Sequence, residues 1–155
     1  MQVEKWMTRP VHFVRPLDSI QHAREVMEQH RINQLPVVVD SRLVGIVTDR
    51  DLRDAFPSVF DAGHPSATRH AEPTKVRVET VMTPYVVTAG PKDSVADVAR
   101  LMRRERVGAI PIVDDNRLVG IIARSDLLEA FVIVLECGGD LTKALQKEKE
   151  AKSHS

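Results

Sequence analysis

The sequence predicts an α+β fold with α/β layers, built from two copies of one β-α-β-β-α unit. Residues 3–56 align with residues 78–131 without a gap at an offset of about 75 residues, with about 22 identities in about 54 positions. A length of 155 residues with 43% apolar side chains can fill an ordinary globular core. We therefore divide the chain into repeat 1 (3–56), a connector (57–77), repeat 2 (78–131) and a C-terminal helix with a frayed tail (132–155).

Each repeat opens with an extended segment and continues into a helix. The extended segments are residues 11–14 and 86–88, and each is followed by a proline and then by a capping serine, Ser19 or Ser94. Apolar residues then recur at the three-to-four spacing of one buried helical face. These residues are Ile20, Ala23 and Met27 in repeat 1, and Val95, Val98, Ala99 and Met102 in repeat 2.

A β-hairpin and a second helix complete each repeat. The predicted strands are residues 35–39 and 42–47 in repeat 1, and 110–113 and 117–122 in repeat 2. Asp40-Ser41 and Asp115-Asn116 are turn residues between apolar runs, which is typical of a hairpin. The second helix carries Leu52, Ala55 and Phe56 in repeat 1, matched by Leu127, Ala130 and Phe131 in repeat 2.

Thr48 and Asp51 are the candidate functional residues of repeat 1. Thr48 ends a strand and opens a helix, so nearby backbone N–H groups and the positive helix end favour a phosphate. Asp51 offers two acceptor oxygens, which suit vicinal hydroxyls such as those of a ribose. Thr-x-x-Asp is also close to a capping box, in which the two residues satisfy each other's backbone donors. The four residues alone favour capping over binding.

The order of these elements resembles the cystathionine-β-synthase (CBS) domain. The resemblance rests on VEKWMT, HRINQLPVVV and GIVTDRDL in repeat 1, and on VETVMT, ERVGAIPIV and GIIARSDLL in repeat 2. It implies a tandem CBS pair, or Bateman module, in which two repeats pack with pseudo-two-fold symmetry. The chain is similar to stand-alone bacterial and archaeal regulatory proteins of the acetoin-utilisation type.

The resemblance implies an adenosine ligand, namely AMP, ADP, ATP or S-adenosylmethionine, which regulates a partner protein. It also changes the balance at Thr48 and Asp51 in favour of ligand binding. The first site implied by the family motif consists of Thr48, Arg50, Asp51, Asn33, Gln34, Leu35, Pro36, Thr83, Val86, Val87 and Thr88.

The second site implied by the resemblance departs from the family pattern at Ala123, which stands where the threonine hydroxyl belongs. Loss of one hydroxyl contact costs only about 0.5 to 1.5 kcal/mol, so we expect a weaker site rather than no site. Its residues are Thr8, His12, Phe13, Gly108, Ile110, Pro111, Ser125 and Asp126.

Other functions have less support in the sequence. No nucleophile-and-base set or close pair of carboxylates with a pocket emerges, so we expect no enzyme and no catalytic cofactor. Formal net charge is zero at pH 7, which disfavours nucleic acid as a partner, and the arginine run at 100–106 indicates a solvated helix face. His64, His70 and Glu72 in the connector match no closed zinc pattern, so we expect no metal.

The remaining expectations concern location and assembly. The start of the chain lacks the h-region of a secretory signal, and Cys137 is the only cysteine, so we expect a cytoplasmic protein. No apolar run is long enough to cross a membrane. Residues 127–135 are apolar on more faces than one repeat can bury, which predicts a homodimer with help from residues 52–60.

Overall fold

A computed structural model describes residues 1–55 and 74–140, together with positions 142, 143, 146, 147 and 150. Predicted positions 56–60, most of the connector with its two histidines, and most of the tail lie outside these residues. The helices are α1 (Ile20–His30), α2 (Asp49–Asp54), α3 (Val95–Glu105) and α4 (Arg124–Glu136). The strands are β1 (Gln34–Val39), β2 (Arg42–Thr48), β3 (Ala109–Asp114) and β4 (Arg117–Ala123), and Val3–Lys5 and Val78–Thr80 form short 3-10 helices.

The first helix of each repeat begins as its local sequence predicts. Ser19 Oγ accepts a hydrogen bond from His22 N at 3.1 Å, and Ser94 Oγ accepts one from Asp97 N at 3.3 Å. These contacts satisfy amide groups that a helix start otherwise leaves without a partner. Both helices end at an arginine in the left-handed region, Arg31 (φ 53°) or Arg106 (φ 56°).

The predicted hairpins are present, with tight turns between their strands. Asp40 and Ser41 both have positive φ, and so do Asp115 and Asn116. Two successive left-handed residues twist in the sense that antiparallel strands require, and Asp and Asn tolerate this conformation better than most residues. In the first hairpin Gln34 pairs with Thr48 and Pro36 pairs with Ile46.

The opening extended segments are shorter than predicted. Val14 forms an isolated parallel bridge with Val37, and Ala89 forms the equivalent bridge with Ile112. Each bridge holds the segment to the first strand of a hairpin, β1 or β3, but neighbouring residues add no ladder. The first β element of each repeat is therefore a single bridged residue.

Two compact units are present, and their boundaries differ from those of the sequence repeats. Among the described residues, unit 1 contains 1–11, 87–115 and those from 119 onward, while unit 2 contains 12–55, 74–86 and 116–118. Val3, Trp6 and Met7 from the start of repeat 1 belong to the core of unit 1, together with Ile110 and Ile122. The opening segment of each repeat therefore packs with the body of the other repeat.

The core of unit 2 is the counterpart of this arrangement. Val78, from the start of repeat 2, is buried among residues of repeat 1. The other buried members come from the bridge, α1, the hairpin and α2, namely Val14, Ile20, Ala23, Met27, Leu35, Val37, Val47 and Leu52. Each core thus contains residues from two helices, one face of a hairpin and the opening segment of the other repeat.

A glycine in each hairpin allows the opening segment of the other repeat to lie directly on a strand. Thr83 N donates to Ile46 O at 2.8 Å, and Ile46 N donates to Thr83 O at 3.0 Å. A Cβ atom on Gly45 would lie 2.6 Å from Met82 Sδ, so a side chain there would collide with the segment. Gly120 has the same role in unit 1, where a Cβ would overlap the sulfur of Met7.

Candidate functional site

Thr48 and Asp51 form a complete capping box at the start of α2. Thr48 Oγ1 accepts a hydrogen bond from Asp51 N at 3.2 Å, and Asp51 Oδ2 accepts one from Thr48 N at 2.7 Å. Thr48 Oγ1 also donates to Asp51 Oδ2 at 2.7 Å. The capping alternative is therefore realised in the structure. Asp51 Oδ1 accepts no hydrogen bond from the described residues, so capping leaves one carboxylate oxygen available to a ligand.

The strand end beside Thr48 brings four other predicted residues together in unit 2. The β1–β2 register places Gln34 opposite Thr48, and Asn33 O accepts a hydrogen bond from Asp49 N at 2.8 Å. Pro36 lies opposite Ile46, which pairs with Thr83 on its other side. Asn33, Gln34, Pro36 and Thr83 therefore share the sheet region next to the capping box.

Two residues of the first predicted site have side chains with other surroundings in the structure: one is buried in the core and one is exposed to solvent. Leu35 is 0% exposed and belongs to the core of unit 2, so only its backbone could contact a ligand. The side chain of Arg50 is 85% exposed, and its Nε lies 3.8 Å from Asp54 Oδ2. Val86 belongs to unit 2, whereas Val87 and Thr88 belong to unit 1.

The second predicted site has the same backbone frame in unit 1. Arg124 N donates to Gly108 O at 3.0 Å, as Asp49 N does to Asn33 O. Thr8 N donates to Ile121 O at 2.8 Å, and Asp126 Oδ2 accepts from Ala123 N at 2.7 Å. Ala123 has no side-chain oxygen, so the second half of the capping box is missing there. Ile110 and Pro111 are buried, while Ser125 is exposed.

His12 and Phe13 of the second predicted site belong to unit 2. The His12 ring stacks on the His30 ring, with centroids 3.5 Å apart and planes at 18°. Burial lowers the pKa of His12, and the positive charge of a protonated His30 lowers it further. His30 is a contact that the sequence reasoning missed, because the two histidines lie on different elements and share no motif.

Neither a metal cluster nor a membrane span emerges from the described residues. Within residues 1–55, 74–140 and the five later positions, no three His, Cys, Asp or Glu residues are grouped so as to hold a metal ion. No helix in this part of the chain has the length and apolar character needed to cross a bilayer. Cys137 is half-buried and packs against the core of unit 1.

The hairpin and the helix that follows it occur twice, each time with an aspartate near the strand-to-helix junction, and this arrangement defines a tandem-repeat module. A family model described as the CBS domain matches residues 3–58 and 78–133, and the chain belongs to this family. The predicted family and α+β fold class are thereby confirmed.

Known proteins similar to this chain include both sequence relatives and solved structures. Protein MJ1225 of Methanocaldococcus jannaschii is 33% identical over 130 residues, which are 83% of this chain and 46% of that protein. The chain therefore spans about half the length of this curated relative. The crystal structure of a putative acetoin utilization protein (AcuB) from Vibrio cholerae has a TM-score of 0.74 at 28% identity, covering 88% of this chain and 93% of the other.

A third similar structure contains ligands. The CBS domain pair of protein MJ0100, in complex with 5′-methylthioadenosine and S-adenosyl-L-methionine, has a TM-score of 0.70 at 29% identity. The match covers 85% of this chain and 96% of the other. Both ligands contain an adenosine group, so a CBS pair similar to this chain binds that group.

Proposed function

We propose that this chain is a regulatory module that binds an adenosine derivative (AMP, ADP, ATP or S-adenosylmethionine) and thereby modulates a partner protein. The similarity to the MJ0100 pair, which was solved with two adenosine-containing ligands, carries this proposal. The ligand acts as a regulatory signal and not as a catalytic cofactor. The module works in the cytoplasm and has no enzymatic activity of its own.

In this proposal Asp51 recognises the ribose. Its Oδ2 atom is occupied by the amide and hydroxyl of Thr48, both at 2.7 Å, which holds the carboxylate in one orientation. The Oδ1 atom retains two lone pairs, enough to accept hydrogen bonds from vicinal hydroxyls. Capping and binding are therefore compatible roles for one side chain.

The residues around Asp51 complete the proposed site. Backbone groups of Leu35 and Pro36 form hydrogen bonds with the edge of the base in this proposal, because the side chain of Leu35 is buried in the core. Asn33, Gln34 and Thr83 lie on the same sheet region, and Arg50 is exposed and able to reach a phosphate. Val86, Val87 and Thr88 are assigned to the site on the family resemblance alone.

Replacement of Asp51 by alanine tests the proposed function. It removes charged contacts to the ribose worth about 1.5 to 3 kcal/mol, so affinity for AMP, ATP or S-adenosylmethionine falls roughly ten- to a hundredfold. Ser19→Ala is the matched control, because it removes the side-chain cap of another helix, α1, and Ser19 belongs to neither proposed site. Isothermal titration measures the affinity of each variant. A 2′-deoxynucleotide, which lacks one of the two ribose hydroxyls, gives an independent check on the wild type. If none of these ligands binds, or if Asp51→Ala binds them as the wild type does, the proposal fails at this site.

The second site is proposed to be a weaker copy of the first. Asp126 caps the Ala123 amide, so its carboxylate is placed to reach a ribose, while the threonine hydroxyl that would orient it is absent. Ser125 faces a phosphate in this proposal, with Thr8, Gly108, Ile110 and Pro111 along the sheet. His12 and Phe13 are assigned to it on the family resemblance alone.

A homodimer is proposed as the working assembly. Leu128, Phe131, Val132 and Leu135 lie on α4 at spacings of three and four residues and are 51 to 66% exposed. An apolar stripe of this kind at the surface of a helix is unfavourable in water. A second copy of the chain offers the same stripe, and two-fold pairing covers both at once.

A further inference from the structure

A cavity of about 340 Å³ lies between α3 and α4 of unit 1. It combines an apolar floor with a rim of guanidinium groups. The floor consists of Ala99, Met102 and Leu127, and the rim consists of Arg103, Arg106 and Arg124. None of these six residues belongs to either proposed adenosine site. The volume is at the lower end of the range for pockets that hold small molecules.

The rim arginines differ from the other helical arginines in having no carboxylate partner among the described residues. Arg100 pairs with Asp97 at 2.7 Å and Arg104 pairs with Glu105 at 2.7 Å on the same helix, α3. Arg124 Nη2 donates to the carbonyl oxygen of Val107 at 3.1 Å, which leaves its charge uncompensated. Three positive charges therefore surround an apolar cavity without a counter-ion from the described part of the chain.

Helix electrostatics explain only part of this arrangement. Arg103 lies in the last turn of α3, and Arg106 is its C-cap, where a cation is favourable. Arg124 is the first residue of α4, at the positive end of a 13-residue helix, where a cation is unfavourable. Stability of α4 alone therefore does not account for Arg124, whereas an anion between the three arginines would.

Repeat 1 provides an internal comparison, because two of the three rim positions carry acidic residues there, while the third, Arg106, corresponds to Arg31. Ala99 corresponds to Arg24, Arg103 to Glu28 and Arg124 to Asp49. Arg24 pairs with Glu28 at 2.8 Å, and Asp49 pairs with Arg53 at 2.9 Å. The floor positions Met27 and Leu52 are retained. Repeat 1 thus places a neutral ion pair where repeat 2 leaves open space and unpaired positive charge.

We propose that the α3–α4 cavity of unit 1 binds a small organic anion, in which a carboxylate or phosphate group is joined to a compact apolar body. The anionic group contacts Arg103, Arg106 and Arg124, and the apolar body lies on Ala99, Met102 and Leu127. Guanidinium groups suit both anions because they donate two parallel hydrogen bonds to either one. This ligand is separate from the adenosine derivative and uses other residues.

Isothermal titration of the full chain with four probes tests the proposal. Phenylacetate and phenyl phosphate combine both features, inorganic phosphate lacks the apolar body, and 2-phenylethanol lacks the charge. We expect at least one of the first two to bind at least about tenfold more tightly than inorganic phosphate and 2-phenylethanol, with weakening at high ionic strength. The tighter of the two identifies the anionic group. Absence of binding by both, or equal binding of the neutral alcohol, overturns the proposal.

Variants that copy the residues of repeat 1 locate the binding. Ala99→Arg/Arg103→Glu recreates the Arg24–Glu28 pair and fills the cavity, so probe affinity should fall at least about tenfold. Arg124→Asp is a second variant whose folding is favoured, because an acidic residue suits the first turn of a helix. Arg100→Glu, on α3 but outside the cavity, is the matched control and should bind like the wild type. Circular dichroism verifies that each variant is folded.

Failure of the cavity proposal can be distinguished from failure of the adenosine-binding proposal, because the two sites use different residues. Asp51→Ala should leave probe binding unchanged, and Ala99→Arg/Arg103→Glu should leave AMP binding unchanged. Probe binding that is lost in Asp51→Ala but kept in the cavity variants would overturn the proposal by moving the anion to the adenosine site.

Discussion

The caps of α2 and α4 differ in one side-chain hydroxyl, which Thr48 has and Ala123 lacks. Thr48 supplies both an acceptor for Asp51 N and a donor for the Asp51 carboxylate, while Ala123 supplies neither to Asp126. Asp51 and Asp126 nevertheless cap in the same way, since each accepts the amide of the cap residue at 2.7 Å. The two helix caps therefore share a backbone frame and one carboxylate contact, and differ in the contacts made by the threonine hydroxyl.

The two caps predict that Thr48→Ala and Ala123→Thr have opposite effects on stability. Thr48→Ala should lower the free energy of unfolding by about 1 kcal/mol, and Ala123→Thr should raise it by a similar amount, because the hydroxyl accepts an otherwise unpaired amide. For a chain of this size that is a shift in melting temperature of about 2 to 4 °C in each direction. Calorimetry measures the shifts. A lower melting temperature for Ala123→Thr would mean that the half-buried position has no room for the larger side chain.

Ala123→Thr should also change ligand binding if the adenosine proposal holds. A threonine there orients Asp126 as Thr48 orients Asp51, so isothermal titration should show tighter binding at the second site. An unchanged stoichiometry and affinity would contradict the assignment of the second site.

The stacked histidines predict a pH dependence of stability. Because the pKa of His12 is lowered in the folded protein from 6.5, the unfolded chain binds more protons once the pH falls below about 6.5. Stability from this residue is therefore present above that pH and decreases as the pH falls toward the lower folded value. Melting temperatures at about pH 7.5 and about pH 5.5 measure the decrease.

Two variants test whether the loss of stability at low pH comes from the His12–His30 pair or from other titratable groups. His30→Gln removes the charge that opposes protonation of His12, so the loss of stability on acidification should be smaller than in the wild type. His22→Gln, exposed on the same helix, is the matched control. The interpretation is wrong if both variants respond to acid as the wild type does.

At the scale of elements, contacts between glycines and methionines join each opening segment to a strand. Gly45 lies under Met82 in unit 2 and Gly120 under Met7 in unit 1. Met7 is 3% exposed, so it has no open space to move into, whereas Met82 is half-buried. The same substitution should therefore cost more in unit 1 than in unit 2.

Gly120→Ala should destabilise the protein by about 1 to 3 kcal/mol through overpacking, and Gly45→Ala by less. Chemical denaturation measures both. Met7→Ala alone removes buried side-chain atoms and costs about 2 to 5 kcal/mol. In the double variant Gly120→Ala/Met7→Ala the total should be smaller than the sum of the two single effects, because the new methyl group occupies space that the methionine leaves. Simple additivity would show that the two residues do not compete for that space.

At the scale of the whole molecule, the exposed stripe on α4 predicts self-association. Light scattering of the wild type should give about twice the chain mass of 17.4 kDa. Phe131→Glu places a charge in the middle of the stripe and should yield the mass of one chain. Leu17→Glu, at a position that is 64% exposed on another element, is the control and should remain dimeric. A wild-type mass of one chain at micromolar concentration would contradict the homodimer.

Local features of the sequence determined most of the elements. The helix starts follow from Ser19 and Ser94, and the hairpin turns follow from Asp40-Ser41 and Asp115-Asn116. The duplication and the Thr48–Asp51 pair were likewise readable, because a cap, a turn or a repeat involves residues near each other or matched one to one. These signals were sufficient to identify the CBS family.

Only the tertiary structure decided which distant residues meet. VEKWMT and VETVMT are similar enough that either could pack on either hairpin, so local patterns do not say that each one packs with the other repeat. Only the family resemblance implied this exchange, because it grouped Thr83 with residues of repeat 1 and Thr8 with residues of repeat 2. His12 and His30, and the arginines around the α3–α4 cavity, come together for the same reason. Capping and periodicity act within a few residues, whereas these contacts depend on how whole segments pack, which no local pattern encodes.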